Sequence, residues 1–249
     1  MCSSDLFPSH DNKYQPIQTD EICSYINQSK FKLTKQLLFE QSLTVLENKE
    51  DILPLRKLES LKIACLSIGS TDTSAFQKML ANYTQVDPFC ISKNATESEI
   101  TQVINQLKPY NLVIAGINGM SMYPGKRFNI TDQQIRIAEL LDSTKTIGVF
   151  FGNPYALSNF PGLKTKRALV VAFQHDIVAE ETAAQLIFGA IDAKGKLPVS
   201  VKNMYPAHIV TKLPAGPTKP SPGPTPPKQV TAPPIDSRKP IPDIAFTPF

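Results

Sequence analysis

Apolar and polar positions alternate in blocks along this chain, and the block lengths separate strands from helices. Lys62 to Ile68, Asn111 to Ile117, Thr146 to Phe151 and Arg167 to Phe173 are short, nearly continuous apolar runs. Such runs are predicted as strands buried on both faces, as in a parallel sheet covered by helices. Thr84 to Cys90 is predicted as a further strand. Between them lie helical patterns over Ser74–Ala81, Glu97–Leu107, Thr131–Leu141 and Ile177–Phe188. Thr96 is placed as an N-cap, and Thr131 with Gln134 forms a capping-box pair. Asp20 to about Gln41 is predicted as a helix with Ile22, Ile26, Leu33, Leu37 and Leu38 roughly on one side. Val45–Glu47 and Ile52–Leu55 are predicted as short extended pieces around a polar turn. Repeated βα units predict an α/β fold: a doubly wound, mostly parallel sheet sandwiched by helices.

The pattern fails at both ends. Residues 1–19 are polar and irregular, and are expected to be disordered or extraneous to the fold. The Met1–Leu6 stretch has neither the basic nor the apolar segment of a secretory leader, and the polypeptide is expected to begin upstream of it. Residues 20–206 carry the α/β pattern. Residues 207–249 read as a Pro-rich linker or tail, with 12 of the 22 prolines from residue 211 onward. The last ten residues regain some apolar character.

Composition narrows the possible functions. The formal charge is +4, and +3 of it lies from Thr211 onward. A body near neutrality lacks the concentrated basic face of a nucleic-acid binder. No run approaches the roughly 18 apolar residues of a membrane span. Four cysteines without a CxxC pair, and three histidines without ligand spacing, predict neither a metal site nor a disulfide framework. Cys65, inside a strand pattern, is expected to be a small buried hydrophobe. Gly69, Gly116 and Gly152 follow strands without a phosphate-cradling pattern around them, so no nucleotide cofactor is expected. Ser67, Ser70 and Ser74 lie outside any nucleophile elbow. His175 and Asp176 are adjacent, but neighbouring side chains rarely converge, and Asp176 suits the N-cap of the next helix. The absence of Trp weakens the case for a freestanding carbohydrate-binding module.

Three segments carry more. In Ala183–Val201, Gly189 closes a helix, Asp192 to Gly195 makes a turn, and Lys196 to Val201 reads as an edge strand because of Pro198. Leu197 and Val199 would share one face of that strand, with Leu197 inserted beneath the helix ending at Phe188. Ser42–Leu55 reads as a helix end, a strand, a polar turn and Leu-Pro-Leu. Gly148–Leu157 reads as a strand running into Gly-Asn-Pro. In this order and spacing the three segments resemble the second, C-terminal domain of glycoside hydrolase family 3, best its β-N-acetylhexosaminidase-like branch, with β-glucosidases also in range.

That resemblance implies an accessory domain of a larger hydrolase cleaving β-linked N-acetylglucosamine or glucose residues, with a periplasmic or secreted parent. Family members generally carry the nucleophilic Asp on a preceding barrel, which needs about 200 residues or more; only some 40 precede the matching segments here. Two carboxyl groups must flank a glycosidic bond, so this chain alone is expected to be inactive, its partner being the missing barrel. Many two-domain members supply an acid/base Glu from the loop matching Asn118–Ile130, yet that loop holds neither Glu nor Asp. No catalytic residue is therefore assigned. Asn118, Tyr123, Lys126 and Arg127 remain as residues that would line or lid the barrel's sugar site, since loops at strand carboxyl ends face ligands. Two rivals stay open: a stand-alone small-molecule or carbohydrate-binding module, and a purely structural packing domain. A closed polar pocket would favour the first, and an exposed apolar helix face would favour packing roles.

Overall fold

A computed structural model describes residues 28–209 and 211. The readings of residues 1–19, of the first part of the 20–41 helix and of the Pro-rich stretch after Thr211 fall outside that range. Among the described residues six strands form one sheet: β1 Thr44–Asn48, β2 Ile63–Ile68, β3 Val86–Ile91, β4 Leu112–Ile117, β5 Thr146–Phe150 and β6 Ala168–Val171. Their order is β1-β6-β5-β4-β2-β3. All neighbours are parallel except β1, which runs antiparallel to β6. The longer helices among the described residues are α1 Ser29–Ser42, α2 Ala75–Ala81, α3 Glu97–Leu107, α4 Asp132–Leu140 and α5 Ile177–Ile187.

Alternation along each strand splits the core into two layers. Ala64, Leu66 and Ile68 of β2 face a cluster with Ile100 of α3 and Ile137 of α4. Ile63 and Cys65 face the other cluster, with Phe76 and Leu80 of α2 and Ala183 and Ile187 of α5. Both faces are covered, which explains why β2, β4, β5 and β6 are apolar almost throughout.

Capping side chains fix where the covering helices begin. Ser74 with Gln77, Thr96 with Glu99 and Thr131 with Gln134 each form a complete capping box. Asp176 caps α5 by accepting the Val178 N–H at 2.9 Å. Gly189 adopts the left-handed conformation after α5 (φ 75°).

The apolar residues of α1 do not enter the core: none of its residues is buried, and Leu33, Leu37 and Leu38 are 58%, 47% and 67% exposed. One expectation needs correction. Lys196–Val201 is not an edge strand. β1 already occupies that margin, and the chain bonds just beside its start, where Gly195 N–H donates to the Leu43 carbonyl at 3.0 Å. A Cβ on Gly195 would lie 2.0 Å from the Ser42 carbonyl oxygen, so only glycine permits this approach. Leu197 then bonds back to His208 and Ile209, and Val201 bridges to Tyr205. Leu197 is fully buried, but among Leu46, Val171 and Tyr205, on the face opposite the end of α5. The packed chain reaches Thr211, which donates its N–H to the Val45 carbonyl of β1.

Candidate functional site

The strand order reverses between β2 and β4, and in open α/β sheets ligands enter at that crevice. Here it is sealed by backbone. Gly69, just after β2, has φ 115°, and a Cβ on it would stand 2.3 Å from the Asn118 carbonyl oxygen. Asn118 itself is buried. Its N–H donates to the Ile68 carbonyl, and its side-chain amide donates to Ser67 Oγ at 3.1 Å. Its carbonyl accepts from Gln134 Nε2 at 2.8 Å. Asn118 Oδ1 is buried without a hydrogen-bond partner among the described residues. Asn118 therefore knots β2, β4 and α4 together at the base of the following loop.

That loop stands outward. Tyr123 is 79% exposed, and Lys126 and Arg127 are exposed too. Lys126, Arg127, Phe128 and Asn129 all have φ between 49° and 57°, a left-handed turn made without glycine. Such backbone costs about 1–2 kcal/mol per residue, and it persists only where surroundings over-determine it. The restraints are visible. Phe128 packs into the core, and its carbonyl accepts from Ser121 N–H at 2.7 Å. Arg127 pairs with Asp132 at 2.9 Å. Asn153, of the Gly-Asn-Pro segment, donates from Nδ2 to the Met122 carbonyl at 2.9 Å. Tyr123, Lys126 and Arg127 thus share one held, exposed loop, whereas Asn118 lies buried beneath its root.

Sequence reasoning passed over Glu180. It is 3% exposed on the inner side of α5. Its Oε2 accepts the Phe76 N–H of α2 at 3.0 Å, and its Oε1 meets His175 Nε2 at 2.8 Å. The hydrogen bond to Glu180 raises the His175 pKa above its ordinary value, against the opposing effect of partial burial. Asp176, by contrast, turns to Lys35 of α1 at 2.8 Å. These groups border a cleft of about 410 Å3 shared with Ser70, Asp72, Thr73 and Ser74. The signal in the sequence was one acidic residue on a helix face otherwise built of Ala179, Ala183, Ala184 and Ile187. No cluster of three or more His, Cys, Asp or Glu able to hold a metal occurs among the described residues. Among those residues no helix is long and apolar enough to cross a membrane.

No protein-family model and no curated protein matches the chain. Solved structures do. A fungal multi-domain family 3 β-N-acetylglucosaminidase carrying a GCN5-related glucosamine N-acetyltransferase region matches at TM-score 0.55 and 20% identity, over 75% of this chain and 21% of that one. A family 3 β-N-acetylglucosaminidase from Paenibacillus sp. str. FPU-7 matches at 0.54 and 15%, over 68% of this chain and 32% of that one. A β-glucosidase from Listeria innocua bound to isofagomine matches at 0.54 and 15%, over 74% of this chain and 28% of that one. At these identities the likeness is one of fold. The chain spans between about a fifth and a third of the length of these structures.

Proposed function

We propose that this chain is an accessory α/β domain of a larger family 3 glycoside hydrolase that cleaves β-linked N-acetylglucosamine or glucose residues, with the catalytic barrel on a separate domain. The observation that carries the reading is α1. Leu33, Leu37 and Leu38 stand exposed on a helix with no buried residue. A helix that exposes several leucines is a surface waiting for a neighbour, and the matching chains are three to five times the length of the matched region. The sealed crevice between β2 and β4 argues against a stand-alone module using the usual α/β ligand position. The domain is proposed to span residue 20 to about 206, with the packed segment continuing through Thr211. Tyr123, Lys126 and Arg127 are proposed to lid the barrel's sugar site, with Asn118 fixing the root of their loop.

The test mixes the purified chain with a separately produced family 3 barrel. Hydrolysis of aryl β-N-acetylglucosaminide and aryl β-glucoside is followed. The chain alone should show none above background, and the mixture should exceed the barrel alone. Leu33→Asp with Leu37→Asp should abolish that gain. Lys126→Ala with Arg127→Ala should raise KM about 10-fold while changing kcat less. Turnover by the chain alone that a single Asp or Glu substitution abolishes would overturn the reading.

A further inference from the structure

The connection from β6 to α5 combines a strained hinge with a buried charge. Phe173 has φ 61°, a left-handed conformation uncommon for a bulky residue. Gln174 N–H folds back onto the Ala172 carbonyl at 2.7 Å. One residue further on, His175 reaches into the cleft to Glu180 at 2.8 Å. Glu180 is almost wholly inaccessible, and among the described residues two partners offset its charge, the Phe76 N–H and the His175 ring.

We propose that His175 and Glu180 form a proton-operated latch that holds the β6–α5 connection over the amino end of α2. It is closed while His175 is charged and loosened when His175 is neutral. With His175 protonated, an imidazolium neutralises the buried carboxylate. Loss of that proton leaves the carboxylate hydrogen-bonded to a neutral ring and without a countercharge, and a buried charge that lacks its counter-ion is costly. Water entering the cleft relieves the cost, and the hinge at Phe173 can then relax toward ordinary backbone.

The other charged groups around the ring act in consistent ways. Asp176, the N-cap of α5, also favours the charged ring but is engaged by Lys35 of α1. Asp72, from the loop before α2, borders the same cleft. The remaining bordering side chains of that loop, Ser70, Thr73 and Ser74, carry no charge. The raised His175 pKa supports the geometry. A raised folded-state value means that the stabilisation is full below the unfolded value of about 6.5 and is lost as pH climbs through the folded one. The latch closes on acidification.

The full chain supplies the test. His175 is titrated by NMR, its resonances identified by comparison with His175→Gln. It should titrate above the ordinary value, and in Glu180→Gln it should fall back toward it. Amide exchange at His175–Val178 and Phe76, corrected for intrinsic chemistry, should lose about 5-fold or more of its protection between roughly pH 6 and 8. His175→Gln should show no such loss, and this half-exposed position guards against a Glu180 variant that fails to fold. A His175 titration at or below the ordinary value overturns the proposal. So does equal loss of protection in the native chain and His175→Gln.

Discussion

A methyl group added at Gly69 would stand 2.3 Å from the Asn118 carbonyl on a backbone with φ 115°. Clash and strain act together there, so Gly69→Ala should cost about 3 kcal/mol or more. At Gly125 a Cβ would meet nothing within 4 Å. Gly125→Ala should therefore change stability by less than about 1 kcal/mol, and denaturant melts of the two variants check the contrast. A second residue-scale expectation concerns pH. Tyr205 donates to Glu47 Oε1 at 2.9 Å, and burial, then the Glu47 charge, pushes its phenol far up. A raised folded-state value makes stability fall as pH rises past the unfolded value of about 10. Tyr205→Phe should flatten that alkaline slope in melts taken on both sides of about pH 10. Little of this was legible beforehand. Asn118 could be flagged from its place after a strand, but its burial depends on Gly69 and Gln134, which are distant in sequence. Glu180 left a trace as an acid on an apolar helix face. Lys166 left none, although it is buried and donates to the Leu141 carbonyl at 2.5 Å.

At the scale of elements, local chemistry was read well wherever it is self-contained. Thr131 with Gln134 was recognisable as a cap because both partners lie within four residues, and the β2, β4 and β5 runs because both faces are buried. The two capping glutamines also do something no spacing rule reveals. Gln77 Nε2 donates to the carbonyls of Cys65 and Phe89, and Gln134 Nε2 to that of Asn118. Gln134→Ala should consequently cost about 2–4 kcal/mol, because a buried acceptor is stranded as well as a cap lost. Thr96→Ala, at an exposed cap, should cost about 1 kcal/mol in the same melts. The Lys196–Val201 segment was misread because alternation marks a half-buried chain without saying what it pairs with. Leu197 is nonetheless buried, so Leu197→Ala should cost about 2–5 kcal/mol. Ser200, exposed, accepts the Ala207 N–H at 3.0 Å; Ser200→Ala should cost no more than about 1 kcal/mol. Equal small losses at both would mean that Leu197 is not packed. The apolar rhythm of α1 was equally real, but it pointed away from the core of these residues.

For the whole molecule, the alternation of strands and helices indicated a mostly parallel sheet, while the strand order and the reversed β1 were not readable. Nothing in five residues of β1 marks their direction; the antiparallel pairing follows from tertiary packing against β6. The structure does explain why two of the three telling segments occur together. Leu55 N–H donates to the Ile187 carbonyl at 2.8 Å, and Gly195 N–H to that of Leu43 at 3.0 Å, so the Ser42–Leu55 and Ala183–Val201 segments clasp each other at two points. That clasp also bears on how the molecule behaves in a crowd of its own copies. A sheet ends in two rows of backbone groups that can recruit a foreign strand and seed aggregation. On one side, Gly195 bonds to Leu43 just before β1, and Thr211 bonds to Val45 and Leu46 within it. On the other, β3 carries Pro88, which has no N–H, beside Asp87, whose charge resists close approach. Both rims are blunted. Self-association should therefore proceed through the leucines of α1, not by strand addition. Leu33→Asp with Leu37→Asp should lower the sedimentation coefficient of the concentrated chain, whereas Asp87→Val with Pro88→Val should open a rim and yield fibrils that bind thioflavin.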